Sequence, residues 1–482
     1  DRDGYVLTNF PYLNNGPKDL IGNSGKGKEY AYRSYFGRVM YSYADRYLFQ
    51  ANIRHDGSSR FAKKHRWGTF PSFSAGWVLS EENFMKNLNW EWLSFLKIRA
   101  TWGALGNERI GDFPYMSTIA FGNTIFYQNN GIYFDQTASQ QKYAIENVTW
   151  EKTESTDIGL DISFLNNRLR VNGDYYWKNT KDMLLAMAIP DFLGFSDPDV
   201  NAGKMSTKGY ELNVSWNDHI GDFSYGIAIN FSDFTSKMGD LQGTQFLGDK
   251  VKMEGSEFNE WYGYVSDGLF LTEEDLKNSP KINDKNTQLG DIKYKDISGP
   301  DGVPDGKISP EYDRVLLGSS LPHFLYGGNI NLGYKNFDLS LAFQGVGKQN
   351  ARLAREMVEP FRNNYGNFPA IIDGNYWSPY NTDEQNAVAK YPRLTHVNKS
   401  SNYAMSDYWL FNGGYFRLKN ITLGYTFPKE WMNAIGIKGA RIYASASDLF
   451  CLSKYPKGWD PEMGVSEYPI TTSILLGVSV NF

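Results

Sequence analysis

Phe337-Asp338-Leu339-Ser340-Leu341-Ala342-Phe343-Gln344 places a large apolar side chain at every second position, with small or polar residues between. Successive side chains of a strand point to opposite faces, so this spacing predicts a strand that is apolar on one face and polar on the other. The period recurs at Ile158, Leu160, Ile162 and Phe164 against Asp157, Gly159, Asp161 and Ser163. It recurs at Tyr210, Leu212, Val214 and Trp216 against Glu211, Asn213, Ser215 and Asn217. At the C-terminus Ile474, Leu476, Val478, Val480 and Phe482 alternate with Ser473, Leu475, Gly477, Ser479 and Asn481. Further segments lie near 34–44, 46–56, 70–79, 93–103, 167–180, 203–217, 219–234, 322–334, 414–427 and 439–448. Together they predict about thirteen strands, many near the ~10 residues that a tilted membrane strand needs.

The connections carry a second pattern. Counted back from Phe482, 449–468, 349–413, 235–321, 181–202 and 104–148 are long. Between them 428–438, Lys335-Asn336, 217–221, Asn166-Asn167 and Asp45 are short, and 80–92 and 57–69 are intermediate. Long and short alternate almost throughout, which puts the long connections at one end of the sheet. A soluble sandwich has no reason to do this, whereas outer-membrane barrels have short periplasmic turns and longer outer loops. In lipid every backbone N–H and C=O must find a partner inside the protein, which strands manage only in a closed barrel. About thirteen strands would leave two open edges, so the reading takes 1–482 as the C-terminal portion of a larger antiparallel transmembrane barrel.

Composition bounds the alternatives. Aromatic residues make up 16% of the chain, with 33 Tyr, 31 Phe and 13 Trp, which suits one-sided strands and aromatic girdles at two membrane interfaces. A large soluble β-sandwich or propeller fits the same composition. The net charge of −5 offers no basic field for nucleic acid. Cys451 is the single cysteine, so the chain forms no internal disulfide. No apolar run approaches the ~20 residues of a membrane helix.

Particular stretches resemble the SusC/RagA family of TonB-dependent transporters. They are Arg99-Ala100-Thr101-Trp102-Gly103-Ala104-Leu105-Gly106-Asn107, Trp150-Glu151-Lys152-Thr153 and Asp157-Ile158-Gly159-Leu160-Asp161. Others are Asp174-Tyr175-Tyr176-Trp177-Lys178, Asn201-Ala202-Gly203, Lys208-Gly209-Tyr210-Glu211, Tyr262-Gly263-Tyr264 and Asp267-Gly268. Tyr415 to Tyr425, as Tyr-Phe-Arg-Leu-Lys-Asn-Ile-Thr-Leu-Gly-Tyr, and Asp460-Pro461-Glu462 complete the series, in family order along nearly the whole chain. The resemblance implies a barrel of about 22 strands with a plugged lumen in the outer membrane of a Gram-negative, Bacteroidetes-like bacterium. It also implies an N-terminal plug, a TonB box linking that plug to the TonB complex, and a SusD-like surface lipoprotein as lid. No plug or TonB-box residues are present in this sequence. The function it implies is TonB-dependent import of a bulky nutrient, an oligosaccharide or an oligopeptide. The alternatives are a secreted β-rich glycan-binding or glycan-degrading protein and a passive porin.

Chemistry-bearing residues add little to that. Asp296, Asp301, Asp305 and Asp313, spaced with Gly302 and Gly306, resemble a Ca²⁺-type loop of oxygen ligands over 296–313. Val303 spoils the third ligand place counted from Asp301, and a run of Asp-Gly turns explains the same residues. The five histidines, His55, His65, His219, His323 and His396, show no ligand spacing. There is no nucleophile elbow, and adjacent acids such as Glu81-Glu82 do not face each other across a pocket, so no catalytic residue is assigned. Glu273-Glu274-Asp275 after Thr272 predicts the acidic first turn of a short helix. Trp261, Tyr262 and Tyr264, and Tyr376, Trp377 and Tyr380, lie in the two longest connections and are candidates to stack on a cargo or pack on a partner. Phe482 ends an amphipathic strand with an aromatic carboxy-terminal residue and is the candidate barrel-assembly signal.

Overall fold

A computed structural model describes residues 27–482 except 129–130, 141–142, 188, 190, 244–245, 284, 354, 363–365, 367, 464–467 and 469. Its frame is one antiparallel sheet of thirteen strands in which each strand pairs with the next one of the sheet along the chain. They are β1 (Tyr32–Tyr43), β2 (Tyr47–Ser58), β3 (Trp67–Val78), β4 (Leu93–Asn107), β5 (Glu151–Phe164), β6 (Leu169–Lys181) and β7 (Met205–Ile220). They continue with β8 (Phe223–Met238), β9 (His323–Tyr334), β10 (Phe337–Lys348), β11 (Tyr415–Thr426), β12 (Gly439–Ser453) and β13 (Ser473–Asn481).

The predicted alternation of connections holds in the structure except that 79–92 is longer than 59–66. At one end lie 44–46, 79–92, 165–168, 221–222, 335–336 and 427–438; at the other lie 59–66, 108–150, 182–204, 239–322, 349–414 and 454–472. The tight turns close with residues in the left-handed region, among them Asp45, Asn166, Asn167, Gly221 and Lys335. Positive φ at a two-residue turn matches the right-handed twist of the flanking strands. β4 and β5 run further toward the long-connection end than their apolar period predicts. There Glu151, Lys152, Thr153 and Glu154 continue the ladder opposite Asn107, Gly106, Leu105 and Ala104. Backbone pairing persists where alternation stops, because the ladder needs only main-chain partners.

Register sorts the side chains onto two faces. Leu341 lies between Ile330 and Ile421, and Ile158 between Ala100 and Tyr175, on the apolar face. Ser340 lies between Asn331 and Thr422 on the other. The apolar face is not covered: Val39, Ile53, Phe73 and Ile474 are exposed, Ile474 by 74%. Among the described residues no helix is long and apolar enough to cross a membrane. The buried clusters lie instead at the long-connection end. One comprises Phe61, Phe70, Ile110, Val148 and Trp150; another comprises Met183, Leu185, Met238 and Leu241. A sheet whose apolar side chains lie uncovered on one face and whose cores lie beyond its rim suits an apolar solvent against that face.

Phe482 follows β13 directly and is 82% exposed. Its deletion removes an aromatic side chain but no ladder hydrogen bond, since Asn481 still accepts from the Lys438 N–H at 2.9 Å. The yield of membrane-inserted whole protein is expected to fall while the inserted fraction keeps its heat-dependent gel shift. An unchanged yield would leave Phe482 as one more exposed apolar side chain.

Candidate functional site

The polar face carries ion pairs that cross strands. Arg99 on β4 grips Asp174 on β6 through two nitrogens, at 2.6 and 2.7 Å, across the intervening β5. The crossing is open because residue 159 is glycine; a Cβ there would stand 2.4 Å from the Arg99 Cζ. Asp157 and Asp161 flank the same guanidinium at 3.4 Å, and Asn172 donates to Asp161 at 2.8 Å. Asp338 and Arg441 pair two strands apart. On the apolar face the cross-strand pairs are rings, Phe73 on Trp102 at 6.0 Å and Phe343 on Phe416 at 5.7 Å. The first face suits a wetted passage, the second a hydrocarbon surround.

At the long-connection end, 239–322 and 349–414 are not separate loops. They share one core in which Tyr264, Leu269, Ile292, Tyr294 and Ile308 from the first pack with Leu353, Met357, Val358, Tyr403 and Trp409 from the second. Backbone bonds tie them: the Tyr264 N–H donates to the Met405 carbonyl at 2.8 Å, and the Arg393 N–H to the Gly290 carbonyl at 2.8 Å. Gly263 permits this approach, since a Cβ there would lie 2.2 Å from the Met405 oxygen. The centre of the unit is Asp291, which is fully buried. Its carboxylate accepts from Arg393 at 2.7 and 3.1 Å, from Asn402 at 2.9 Å, from Asn398 at 2.7 Å and from the Gln288 N–H at 2.9 Å. Two cationic nitrogens and three neutral donors offset the cost of burying the charge. Burial also pushes the phenols of Tyr294 and Tyr403 up, so both stay neutral.

The six aromatic candidates have different surroundings. Tyr264 is in the shared core, and the Trp377 ring packs against that core and over Gly290. The Trp261 indole N–H donates to the Asn350 carbonyl at 2.6 Å, with the Lys250 ammonium 4.6 Å from its ring. Tyr262 lies under the Arg314 guanidinium at 4.4 Å, and Tyr376 meets Phe368 edge-on at 6.4 Å. Tyr380, at 96% exposure, presents its whole ring. It precedes the helix Asp383–Ala387, which Thr382 and Gln385 close with a reciprocal capping box. The helix predicted after Thr272 forms over Glu273–Asn278, with the Thr272 hydroxyl accepting from the Asp275 N–H at 3.1 Å.

The carboxylates of 296–313 do not converge on one point. Asp313 is fully buried, and its two oxygens accept from the N–H groups of Ile297, Ser298 and Ser309 at 2.8, 3.2 and 2.7 Å. Asp296 accepts from the Gly306 N–H at 2.6 Å and Asp305 from the Lys307 N–H at 2.9 Å; Asp301 is exposed. Among the described residues no three His, Cys, Asp or Glu side chains are grouped to hold a metal ion. Asp296, Asp305 and Asp313 thus each accept from amides of the loop itself.

Sequence reasoning did not find the Arg99 and Asp291 networks. The first left a trace, charged residues at the polar positions of amphipathic strands. The second left none.

Residues 2–449 match the family model described as TonB dependent receptor-like, beta-barrel. The TonB-dependent receptor SusC of Bacteroides thetaiotaomicron is 32% identical over 468 residues, 93% of this chain and 43% of the relative. TonB-dependent receptor P3 of Formosa agariphila is 31% identical over 453 residues, 89% of this chain and 42% of the relative. The solved RagAB peptide transporter superposes with a TM-score of 0.75 at 23% identity, over 99% of this chain and 51% of that one. The chain thus spans about half the length of the relatives it matches.

Proposed function

This chain belongs to the TonB-dependent receptor-like β-barrel family, and on that premise we propose that it is the C-terminal barrel portion of an outer-membrane importer. Strands of the longer protein would pair with the open edges of β1 and β13, closing the sheet around a lumen lined by its polar face. The protein is a transporter and not an enzyme. The polar face supplies a wetted wall, and the energy would come from the TonB complex acting through a plug domain.

The observation that carries the proposal is the one-sided build of the molecule. Every long connection stands at one end, and the two longest fold into a single unit with its own buried charge network. A folded unit at the mouth suits capture of a bulky oligosaccharide or oligopeptide and the docking of a SusD-like lipoprotein lid. The relative SusC is a TonB-dependent receptor and the neighbour RagAB a peptide transporter, which supports import as the reading.

The test uses cells carrying the whole receptor, offered labelled oligosaccharides and labelled oligopeptides in parallel. Uptake of one class should require TonB. Uptake that persists undiminished without TonB would identify a passive porin and overturn the reading.

A further inference from the structure

The most deeply buried arginine of the sheet, Arg417 on β11, holds a segment that belongs to no strand. It is 3% exposed. By register it lies between Gln344 on β10 and Cys451 on β12, on the polar face. Register irregularities flank it, between Ala342 and Phe343 and between Leu418 and Asn420. Irregularities of this kind re-aim a side chain at a barrel rim.

Its hydrogen-bond partners come from the connection 454–472, and Asp448 on β12 stands 3.9 Å from Nη1. Nη2 donates to both oxygens of Asp460, one of them at 2.6 Å, and Nε donates to Glu462. Gln344 donates to the other oxygen of Glu462 at 3.1 Å, so the wall grips that carboxylate from two strands. Thr472 fastens the far end of the connection, donating to the Asp448 carbonyl at 2.8 Å. Ahead of these anchors Tyr455 meets Phe411 of the outer unit edge-on at 6.3 Å and packs against that unit's core. One short stretch therefore touches the wall of the passage with its carboxylates and the outer unit with its ring.

We propose that Arg417 is a positioning residue for import, a latch that seats 455–462 over the polar face and ties the outer unit to the barrel wall. The latch narrows the passage on the β10–β12 side and fixes the height of the outer unit above it. It rests on the reading of the polar face as the lumen. A flexible connection would leave 455–462 free to swing into solvent. A guanidinium fork facing two carboxylates gives it one seat, which lysine's single point charge cannot reproduce.

Cys451, opposite Arg417, is the reporter. In the whole receptor in its membrane, Asp460→Asn with Glu462→Gln removes the latch from the connection side and leaves the wall intact. A membrane-impermeant maleimide added outside should then label Cys451 about tenfold faster or more, because each lost charge-assisted bond is worth at least that factor in the seated-to-free ratio. Ser445→Cys, on the same face of β12, should label at an unchanged rate, and Arg417→Lys should give an intermediate rate at Cys451. An unchanged Cys451 rate in the double variant, at normal receptor level, overturns the latch. So does an equal rise at both cysteines, which would mean that the wall itself has loosened. A receptor that labels as expected but imports nothing would sink the import reading and leave the latch standing.

Discussion

Replacing Asp291 by Ala is expected to unfold the outer unit while the barrel stays inserted. The substitution strands the Arg393 guanidinium, only 14% exposed, and leaves the amides of Asn398 and Asn402 without their acceptor in a site where both are fully buried. Breaking a buried pair from one side costs about 3–5 kcal/mol, a large share of what holds a unit of this size together. The expected signature is new protease cleavage within 239–322 and 349–414 on intact cells, together with loss of uptake and of lid co-purification. Heat-modifiability of the whole receptor should be retained, since no β-ladder of the thirteen-stranded sheet passes through Asp291. Protease resistance equal to wild type would show that the hydrophobic core holds the unit by itself. Excising 353–400 should have the same effect, because that span contributes Leu353, Met357 and Val358 to the core of both connections.

A second large effect is expected on the wall. Arg in place of Leu341 should cost about 2–4 kcal/mol near the bilayer midplane, whereas Arg in place of its neighbour Ser340 should cost much less. Leu341 lies between Ile330 and Ile421 on the apolar face, with no polar neighbour in the register for a guanidinium to meet. Ser340 points the other way, and what it loses is one hydrogen bond to Asn331 at 2.7 Å, worth about 1 kcal/mol. The measurement is a denaturant titration of the whole receptor in lipid vesicles, with the folded fraction read from the gel shift. Equal costs at the two positions would mean that β10 does not stand in a bilayer.

The period-two pattern located all thirteen strands of the sheet, and the lengths of its connections told the two ends apart. Both signals are local. Neighbours two apart share a face whatever the rest of the chain does, so Phe337 to Gln344 announces its two surfaces from eight residues alone. The family resemblance likewise reached nearly the whole chain, because its motifs are short runs read in order. Within the long connections this kind of information is absent. The hairpin of Ile119–Gln128 with Gly131–Gln140 stands inside what reads as a single loop. Tyr264 and Trp377 look as available to a cargo as Tyr380 does, yet the fold buries the first, packs the second and exposes the third.

Only the tertiary structure joins Asp291 to Arg393, separated by 102 residues, and Arg417 to Asp460, separated by 43. A buried ion pair needs an acid, a base and a place where their chain paths cross. Sequence supplies the first two in dozens of combinations. The crossing depends on how β8 through β12 are spaced around the wall, because that spacing sets which connections stand near enough to share a core. The sequence by itself therefore determined the wall, whose rule repeats every two residues. What stands at its mouth was decided by contacts between segments far apart in the chain, which no local period records.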